Sequence, residues 1–208
     1  MDESDNEEVK FWRYLTGSIS TIIEGFGSEA NTFLTTNPVH IEAAVTALVN
    51  ELNNISTADK LTIVLDDFHV IQNKEVLQQF AYFIDFVPPN VELLITTRFE
   101  PKLPISRWSV KNWVDQIHSS DLVFSYTESK TFFNTYMGLK LTEKQIEQIF
   151  HKTEGWIAAM QLAALSAAST PSNEQQYIST QQLFSDDRHF SDYILTEILE
   201  HQDSEVSD

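Results

Sequence analysis

The stretch LTIVLDDFH, residues 61–69, decides the fold because it joins an unbroken run of apolar and β-branched residues to two carboxylates. A run such as residues 61–65 is typical of a strand buried on both faces, as in a parallel sheet. A second run of this kind covers residues 91–97, and residues 75–86 between the two have helical spacing. A strand, a single helix and a strand in this order predict a βαβ unit with parallel strands.

Helical spacing dominates the remainder of the chain, with apolar residues recurring every three or four positions. A weaker apolar run predicts a third strand over residues 113–117, and the polar residues 170–179 are typical of a loop. Thr127 and Thr142 are predicted to cap two of the helices. The predicted helices cover residues 6–24 (ended by Gly25 and Gly27), 41–52, 127–137, 142–152, 154–168 and 190–199.

The charge balance argues against two classes of partner. The chain carries 13 Lys+Arg against 31 Asp+Glu, a formal net charge of −18. Such a field repels nucleic-acid phosphates and anionic membranes, so we expect neither to bind this chain directly. Cysteine is absent, which excludes disulfides and thiolate sites. The acidic N-terminus and the absence of a long apolar stretch predict a soluble, cytoplasmic protein.

Asp66 and Asp67 follow the first predicted strand directly. Ligands of open α/β sheets bind beyond the carboxyl ends of the strands. An apolar strand that ends in two carboxylates resembles a Walker B motif, in which one Asp holds the Mg²⁺ of a nucleotide and its neighbour orients water. The alternative is a strand that ends in a solvated Asp-Asp turn.

Arg98 stands at the equivalent place after the second predicted strand. An arginine there resembles the sensor residue of ATPases that have a Walker B motif. Its guanidinium can bind the terminal phosphate of the nucleotide with charge-assisted hydrogen bonds. The alternative is an ordinary surface arginine. Two such motifs, one crossover helix apart, support each other.

Other catalytic classes have weaker support. Asp66, Asp67 and His69 could be ligands of a metal-dependent hydrolase, but such sites need further ligands, and the other histidines lie in separate segments. No G-x-S-x-G nucleophile elbow is present. None of the 5 glycines precedes Lys-Ser or Lys-Thr, so the sequence contains no P-loop.

Five segments, in this order, resemble the MalT-like subgroup of STAND ATPases, the large ATP-binding LuxR-type transcriptional regulators. Together they extend over nearly the whole chain, which makes the resemblance more specific than any single motif. The segments are DESDNEEVKFWRYL (residues 2–15), the Walker B-like LTIVLDDFHVI (61–71), the sensor-like PPNVELLITTRFEPKLPISRW (88–108), the helical-domain signature TEGWIAAMQLAALS (153–166) and FSDDRHFSDYILTEILEHQ (184–202), which is similar to the start of a winged-helix domain.

The resemblance implies an α/β fold, with a partial P-loop-NTPase-type parallel sheet and flanking helices over residues 1–120. An all-α helical domain over residues 121–170 follows, and then a linker and the start of a winged-helix domain over residues 171–208. The family's P-loop and first two strands are expected upstream of Met1, and its sensory superhelix and helix-turn-helix downstream of Asp208. In this class the P-loop strand lies next to the sensor strand, so we expect open sheet edges and uncovered apolar strand faces.

The resemblance also implies a nucleotide-dependent switch. ATP or ADP would bind with Mg²⁺ between the α/β core and the helical domain and, with an inducer, convert a monomer into an activating oligomer. Asp66 would be the metal-side acidic residue and Asp67 the catalytic one. Arg98, Trp156 and Gln161 would contact the nucleotide. The sequence departs from the family here, because related proteins have Gly-x-Pro where this chain has Ala-Met-Gln at residues 159–161.

Three functions remain as alternatives. The first is a fragment of the switch module of a transcriptional activator, the second an interaction module derived from a degenerate ATPase, and the third the metal-dependent hydrolase. Trp156, Met160 and Leu162 could equally be helix-packing core. We expect this chain alone to be catalytically inactive, to bind nucleotide weakly or not at all, and to hold no cofactor of its own. Its expected partners are a second copy of itself or the remaining parts of a parent protein.

Overall fold

The computed structural model describes residues 1–55, 60–171, 173–175 and 179. The fold is mixed α/β, with a two-stranded parallel sheet and many helices among the described residues. The chain divides into two compact units, Met1–Asp115 and Gln116–Asp208. The elements of the first unit are helices α1 (Glu8–Ser20), α2 (Ser28–Thr35), α3 (Ile41–Asn53), α4 (Lys74–Phe86) and α5 (Ile105–Val110), and strands β1 (Leu61–Leu65) and β2 (Val91–Ile95).

The sheet confirms the predicted βαβ unit. Strands β1 and β2 are parallel, in a register that pairs Leu61 with Val91 and Leu65 with Ile95, and α4 connects them. Burial on both faces was the wrong expectation, because alternate residues of β1 are exposed. Val64 is 56% exposed and Leu94 53%. The described helices of this unit pack on the face that carries Leu61, Ile63 and Leu65, and they leave the other face open to solvent.

An aromatic cluster connects helices α1 and α4 to the segment that follows β1. The ring of Phe11 lies 5.7 Å from that of Phe80 at 80°, and Phe80 lies 5.1 Å from Phe68. Trp12 contacts Phe83 at 5.6 Å, and its indole N–H donates to the side-chain oxygen of Gln79 at 2.8 Å. All of these rings are essentially inaccessible to solvent. Each such aromatic pair contributes about 0.5–1.5 kcal/mol beyond the area that it buries.

The N-terminal helices differ from the prediction of one long helix over residues 6–24. A 3₁₀ turn over Glu3–Asn6 precedes α1, and α1 already ends at Ser20. Helix α2 was not predicted; it begins after Gly27, whose backbone is left-handed with φ 76°. Helix α2 has only 8 residues, two of them buried, so its sequence carries little periodicity. Helix α3 confirms the predicted helix over residues 41–52.

The predicted strand over residues 113–117 is wrong. Helix α5 ends in a turn in which Asn112 has φ 55° and the Trp113 N–H donates to the Trp108 carbonyl at 3.0 Å. No regular structure follows until Ser119. A strand requires the backbone of a neighbour for its hydrogen bonds, and this turn directs the chain back onto the end of α5. The Trp113 ring instead lies exposed, with the Lys111 ammonium 4.0 Å from its centre.

The second unit is helical over its described residues. It contains helices α6 (Ser119–Leu122), α7 (Tyr126–Thr131), α8 (Glu143–Thr153) and α9 (Ile157–Ala168), and a π-helical turn, Phe132–Tyr136, that extends α7. Thr142 caps α8 with Gln145, as predicted, whereas Ser125 rather than Thr127 caps α7. The core of this unit consists of Phe133, Leu139, Leu141, Ile146, Ile149, Met160, Ala163, Ala164 and Ala167.

Helix α9 begins three residues later than the predicted residue 154. Glu154 and Gly155 both have left-handed backbones, with φ 50° and 78°, which ends α8 and places Trp156 at the cap of α9. The Gly155 carbonyl accepts a hydrogen bond from the Phe124 N–H at 2.9 Å. The glycine in the TEGW segment is therefore required by backbone geometry.

Several expectations lie outside the described residues. The predicted helix over residues 190–199 is among them, and of the expected linker and winged-helix start the structure describes only residues 171, 173–175 and 179. Within the described part of the chain, no helix has the length and apolar character needed to cross a membrane.

Gly155 provides a test of the turn before α9. Gly155→Ala should destabilise the second unit more than Gly138→Ala. Both glycines have positive φ, 78° and 62°, so both variants carry strain of about 1–2 kcal/mol. A Cβ at Gly155 would lie 2.2 Å from the Phe124 carbonyl oxygen, whereas one at Gly138 meets no atom of the described residues within 4 Å. Urea unfolding of both variants measures the difference, and equal losses would contradict the described packing.

Candidate functional site

The carboxyl ends of β1 and β2 meet at one edge of the sheet. Leu65 pairs with Ile95 in the parallel register, so the next residues, Asp66 and Thr96, lie level with each other. The predicted carboxylates are therefore adjacent to the segment that leads to Arg98. This edge is where open α/β sheets place their ligands.

Thr96 joins the two strand ends through its backbone and its side chain. Its N–H donates to the Leu65 carbonyl at 3.0 Å, and its carbonyl accepts from the Phe68 N–H at 2.9 Å. Its hydroxyl oxygen accepts from the Asp67 N–H at 3.0 Å, and the hydroxyl donates to a carboxylate oxygen of Asp66. Thr96 was not among the predicted site residues. The Thr-Thr pair before Arg98 was the available signal, because an exposed hydroxyl at a strand end can donate to a neighbouring strand.

The carboxylate of Asp66 is exposed and held as an anion. The hydrogen bond from the Thr96 hydroxyl lowers the pKa of Asp66 below its usual value, and the Asp67 backbone N–H lowers it further. A hydrogen bond to the charged form of a carboxyl favours that form. Asp66 therefore presents an ionised oxygen ligand at the sheet edge.

Asp67 has an unusual backbone. Its φ and ψ are 55° and 39°, a left-handed conformation, and it caps the 3₁₀ turn Phe68–Val70. The fully buried ring of Phe68 anchors this turn in the aromatic cluster. The Asp67 side chain is 53% exposed, and one of its carboxylate oxygens lies 3.6 Å from Nδ1 of His69. The backbone of Asp67 is thus fixed, while its carboxylate faces solvent.

Arg98 is exposed and lies two residues beyond Thr96 on the same segment. The Thr97 hydroxyl donates to the Phe99 carbonyl at 2.7 Å, which shapes the turn around Arg98. Arg98 and the two aspartates thus lie on segments that follow adjacent strand ends.

A metal centre with three or more protein ligands has no support in the described part of the chain, where no group of three His, Asp or Glu side chains could hold an ion. The grouping of Asp66, Asp67 and His69 proposed for a hydrolase is not such a cluster. The ionised carboxylate of Asp66 remains able to bind Mg²⁺ as one of several oxygen ligands.

The two residues predicted in the helical domain lie in the second unit. Trp156 is 38% exposed at the cap of α9. Gln161 is half-buried, five positions along the chain, which places it about 140° further around the helix. The alternative of helix-packing core holds for Met160, which is fully buried, whereas Leu162 is half-buried.

Comparison with known proteins gives one consistent result. The HTH-type transcriptional regulator MalT of Serratia proteamaculans (strain 568) is 30% identical over 210 residues, which cover 99% of this chain and 23% of that protein. MalT of Yersinia pestis (strain Pestoides F) and of Yersinia pseudotuberculosis serotype O:3 (strain YPIII) are each 30% identical over 209 residues, with the same coverage. The chain is a MalT-like sequence.

This match confirms the resemblance inferred from the five motifs. The MalT-like chain spans 23% of the length of the curated relatives that it matches. No family model matches it.

Thr96 provides a test of the site in the MalT-like chain. Thr96→Val keeps the shape of the side chain and removes the hydroxyl, so the pKa of Asp66 should rise toward its ordinary value of 3.8. A carboxyl with a lowered pKa stabilises the folded state above its ordinary pKa, and this contribution disappears as the pH falls through the lowered pKa. In the wild-type chain, Asp66 should therefore be protonated, and its contribution to stability lost, at a lower pH than the pH at which Asp66 titrates in Thr96→Val.

Carboxyl ¹³C shifts followed by NMR against pH measure this difference. Thr97→Val is the matched control, because its hydroxyl donates to the Phe99 carbonyl and not to an aspartate. An Asp66 pKa that is unchanged in Thr96→Val, or equally raised in Thr97→Val, would contradict the described hydrogen bond.

Proposed function

We propose that this chain is part of the nucleotide-dependent switch of a LuxR-type transcriptional regulator. The arrangement of Asp66, Asp67 and Thr96 at the carboxyl edge of two parallel strands carries the proposal. It places acidic groups where α/β nucleotide-binding proteins hold their ligands. The match to proteins named as transcriptional regulators supports the regulatory role.

Each side chain of the edge has a proposed task. Asp66, which is ionised and exposed, would bind Mg²⁺. A bound Mg²⁺ ion would neutralise part of the negative charge of the nucleotide phosphates. Asp67 would orient a water molecule or accept its proton. Arg98 would bind the terminal phosphate, since a guanidinium matches the geometry of phosphate oxygens. For Trp156 and Gln161, which belong to the second unit, the family resemblance implies contacts with the nucleotide.

Because this chain is strongly acidic, we propose that another part of the regulator binds DNA. At a net charge of −18 the chain repels nucleic acid. The proposed location is the cytoplasm, and the proposed partners are further segments of the regulator or a second copy. The exposed apolar side chains of the sheet, Val64 and Leu94, support such a partner.

The chain alone should not hydrolyse ATP and should bind it only weakly. A P-loop supplies backbone N–H donors, a lysine and a hydroxyl to the phosphates and the metal, and this sequence has none. One charged hydrogen bond from Arg98 contributes about 1.5–3 kcal/mol, whereas micromolar affinity requires about 8 kcal/mol. Calorimetric titration of Mg·ATP into the chain and into Arg98→Ala measures this, and micromolar binding that depends on Arg98 would contradict the count of contacts.

Nucleotide binding by the protein that the complete reading frame encodes tests the proposed function itself. There, Asp66→Asn should weaken nucleotide binding in the presence of Mg²⁺ and leave binding in EDTA unchanged, because Asn keeps the shape and removes the charge. Asp115→Asn, remote in sequence from the strand ends, is the control. If the protein encoded by that reading frame binds no nucleotide, the second candidate function, an interaction module, remains.

The interaction module has one observation in its favour, the exposed sheet face. Substituting Val64 and Leu94 by lysine should shift the chain toward a monomer at high concentration, because charged side chains oppose contact between sheet faces and edges. Sedimentation equilibrium measures the change. Tyr136→Lys, which replaces an exposed residue of the second unit, is the control. A wild-type chain that stays monomeric at millimolar concentration would contradict association through this face.

A further inference from the structure

The imidazole of His69 is placed in a way that the proposed function does not explain. Its side chain is only 15% exposed. The Nδ1 atom is buried and has no hydrogen-bond partner among the residues that the structure describes. Its near neighbour is the Asp67 carboxylate, with 3.6 Å between Nδ1 and Oδ1. A buried polar atom without a partner is rare in proteins and often belongs to a functional site.

Neighbouring groups keep the ring in place. His69 is the central residue of the 3₁₀ turn Phe68–Val70, whose first residue is anchored in the aromatic cluster. The ring of Phe99 contacts the imidazole edge to face, at 5.8 Å between ring centres and 73° between ring planes. The imidazole is therefore the fixed member of the pair.

Asp67 is the adjustable member. Its backbone N–H is bound to the Thr96 hydroxyl, and its backbone conformation is set by the turn. Its side chain, at 53% exposure, can still rotate. A rotation that shortens the gap of 3.6 Å by a few tenths of an ångström would make an ordinary N–H···O hydrogen bond.

We propose that His69 is a positioning residue for Asp67. An N–H at Nδ1 donates to one carboxylate oxygen and leaves the other oxygen for a water molecule at the sheet edge. The role resembles the hydrogen bonds that orient ligand and catalytic groups elsewhere, whose loss typically costs about 10-fold to 100-fold in activity. This inference rests on the proposed function, in which Asp67 acts on water.

A spectroscopic test needs no nucleotide. Imidazole ¹⁵N shifts of the chain, measured at a pH where imidazoles are neutral, should show His69 with its proton on Nδ1. In Asp67→Gly, which removes the carboxylate and suits the left-handed backbone, the proton should move to Nε2. Phe99→Leu is the control and should keep the proton on Nδ1. A wild-type His69 protonated on Nε2, or a tautomer that Asp67→Gly leaves unchanged, overturns the proposal.

A second arm uses the complete regulator. His69→Asn places its amide N–H near the position of Nδ1 and should retain ATP hydrolysis, whereas His69→Gln places it near Nε2 and should lower kcat about 10-fold to 100-fold. Nucleotide affinity should change in neither. Equal kcat values in the two variants overturn the positioning role. If the regulator binds no nucleotide, the proposed function fails while the tautomer measurement still decides whether His69 donates to Asp67.

Discussion

The hydrogen bonds of Thr96 hold the two strand ends together, and the geometry of the candidate site depends on them. The backbone of Thr96 continues the parallel pairing one step beyond the last residues of the strands, through Leu65 and Phe68. Its hydroxyl then binds both aspartates, one at the carboxylate and one at the backbone N–H. A hydroxyl can accept one hydrogen bond while it donates another. This single side chain therefore lowers the pKa of Asp66 and binds the backbone N–H of Asp67 at once.

The aromatic cluster supplies the rigidity that this arrangement needs. Phe68 follows the two aspartates directly and is fully buried against Phe80. A buried phenylalanine typically contributes about 3–5 kcal/mol relative to alanine, so the turn cannot leave the core cheaply. The left-handed backbone of Asp67 costs about 1–2 kcal/mol, and the burial of Phe68 exceeds that cost. Helix packing far from the sheet edge thereby holds a strained residue at the site.

Elements with a long periodic pattern could be predicted from the sequence. Helices α3, α4 and α8 are of this kind, because many of their positions repeat the same helical spacing of apolar residues. Strands β1 and β2 were predicted instead from unbroken apolar runs that end in charged residues. Helices α2 and α5 have only 8 and 6 residues, too few for such a pattern. The strand predicted over residues 113–117 failed because the apolar run ends in a turn, and an apolar run alone does not show whether a partner strand lies beside it.

The sequence predicts the residues of the candidate site that directly follow a strand, but not the contacts between residues of different segments. Asp66, Asp67 and Arg98 follow predicted strands, so parallel topology is enough to place them at one edge. The roles of Thr96 and His69 depend on contacts between different segments, such as the 29-residue separation between Asp67 and Thr96. The sequence offers the Thr-Thr pair as a signal, but its spacing does not show which of the two threonines binds Asp67.

Thr96 also connects the two aspartates to the segment that carries Arg98, at the carboxyl edge of the sheet. It binds both aspartates of the first strand end, and it lies two residues before Arg98 on the second. A bound anion that displaced Arg98 would pull on the same short segment whose hydroxyl lowers the pKa of Asp66. Loss of that hydroxyl contact would raise the pKa of Asp66 and free the Asp67 N–H together. In the proposed switch, a change at Arg98 would therefore reach both aspartates through Thr96, and a nucleotide-dependent switch requires coupling of this kind.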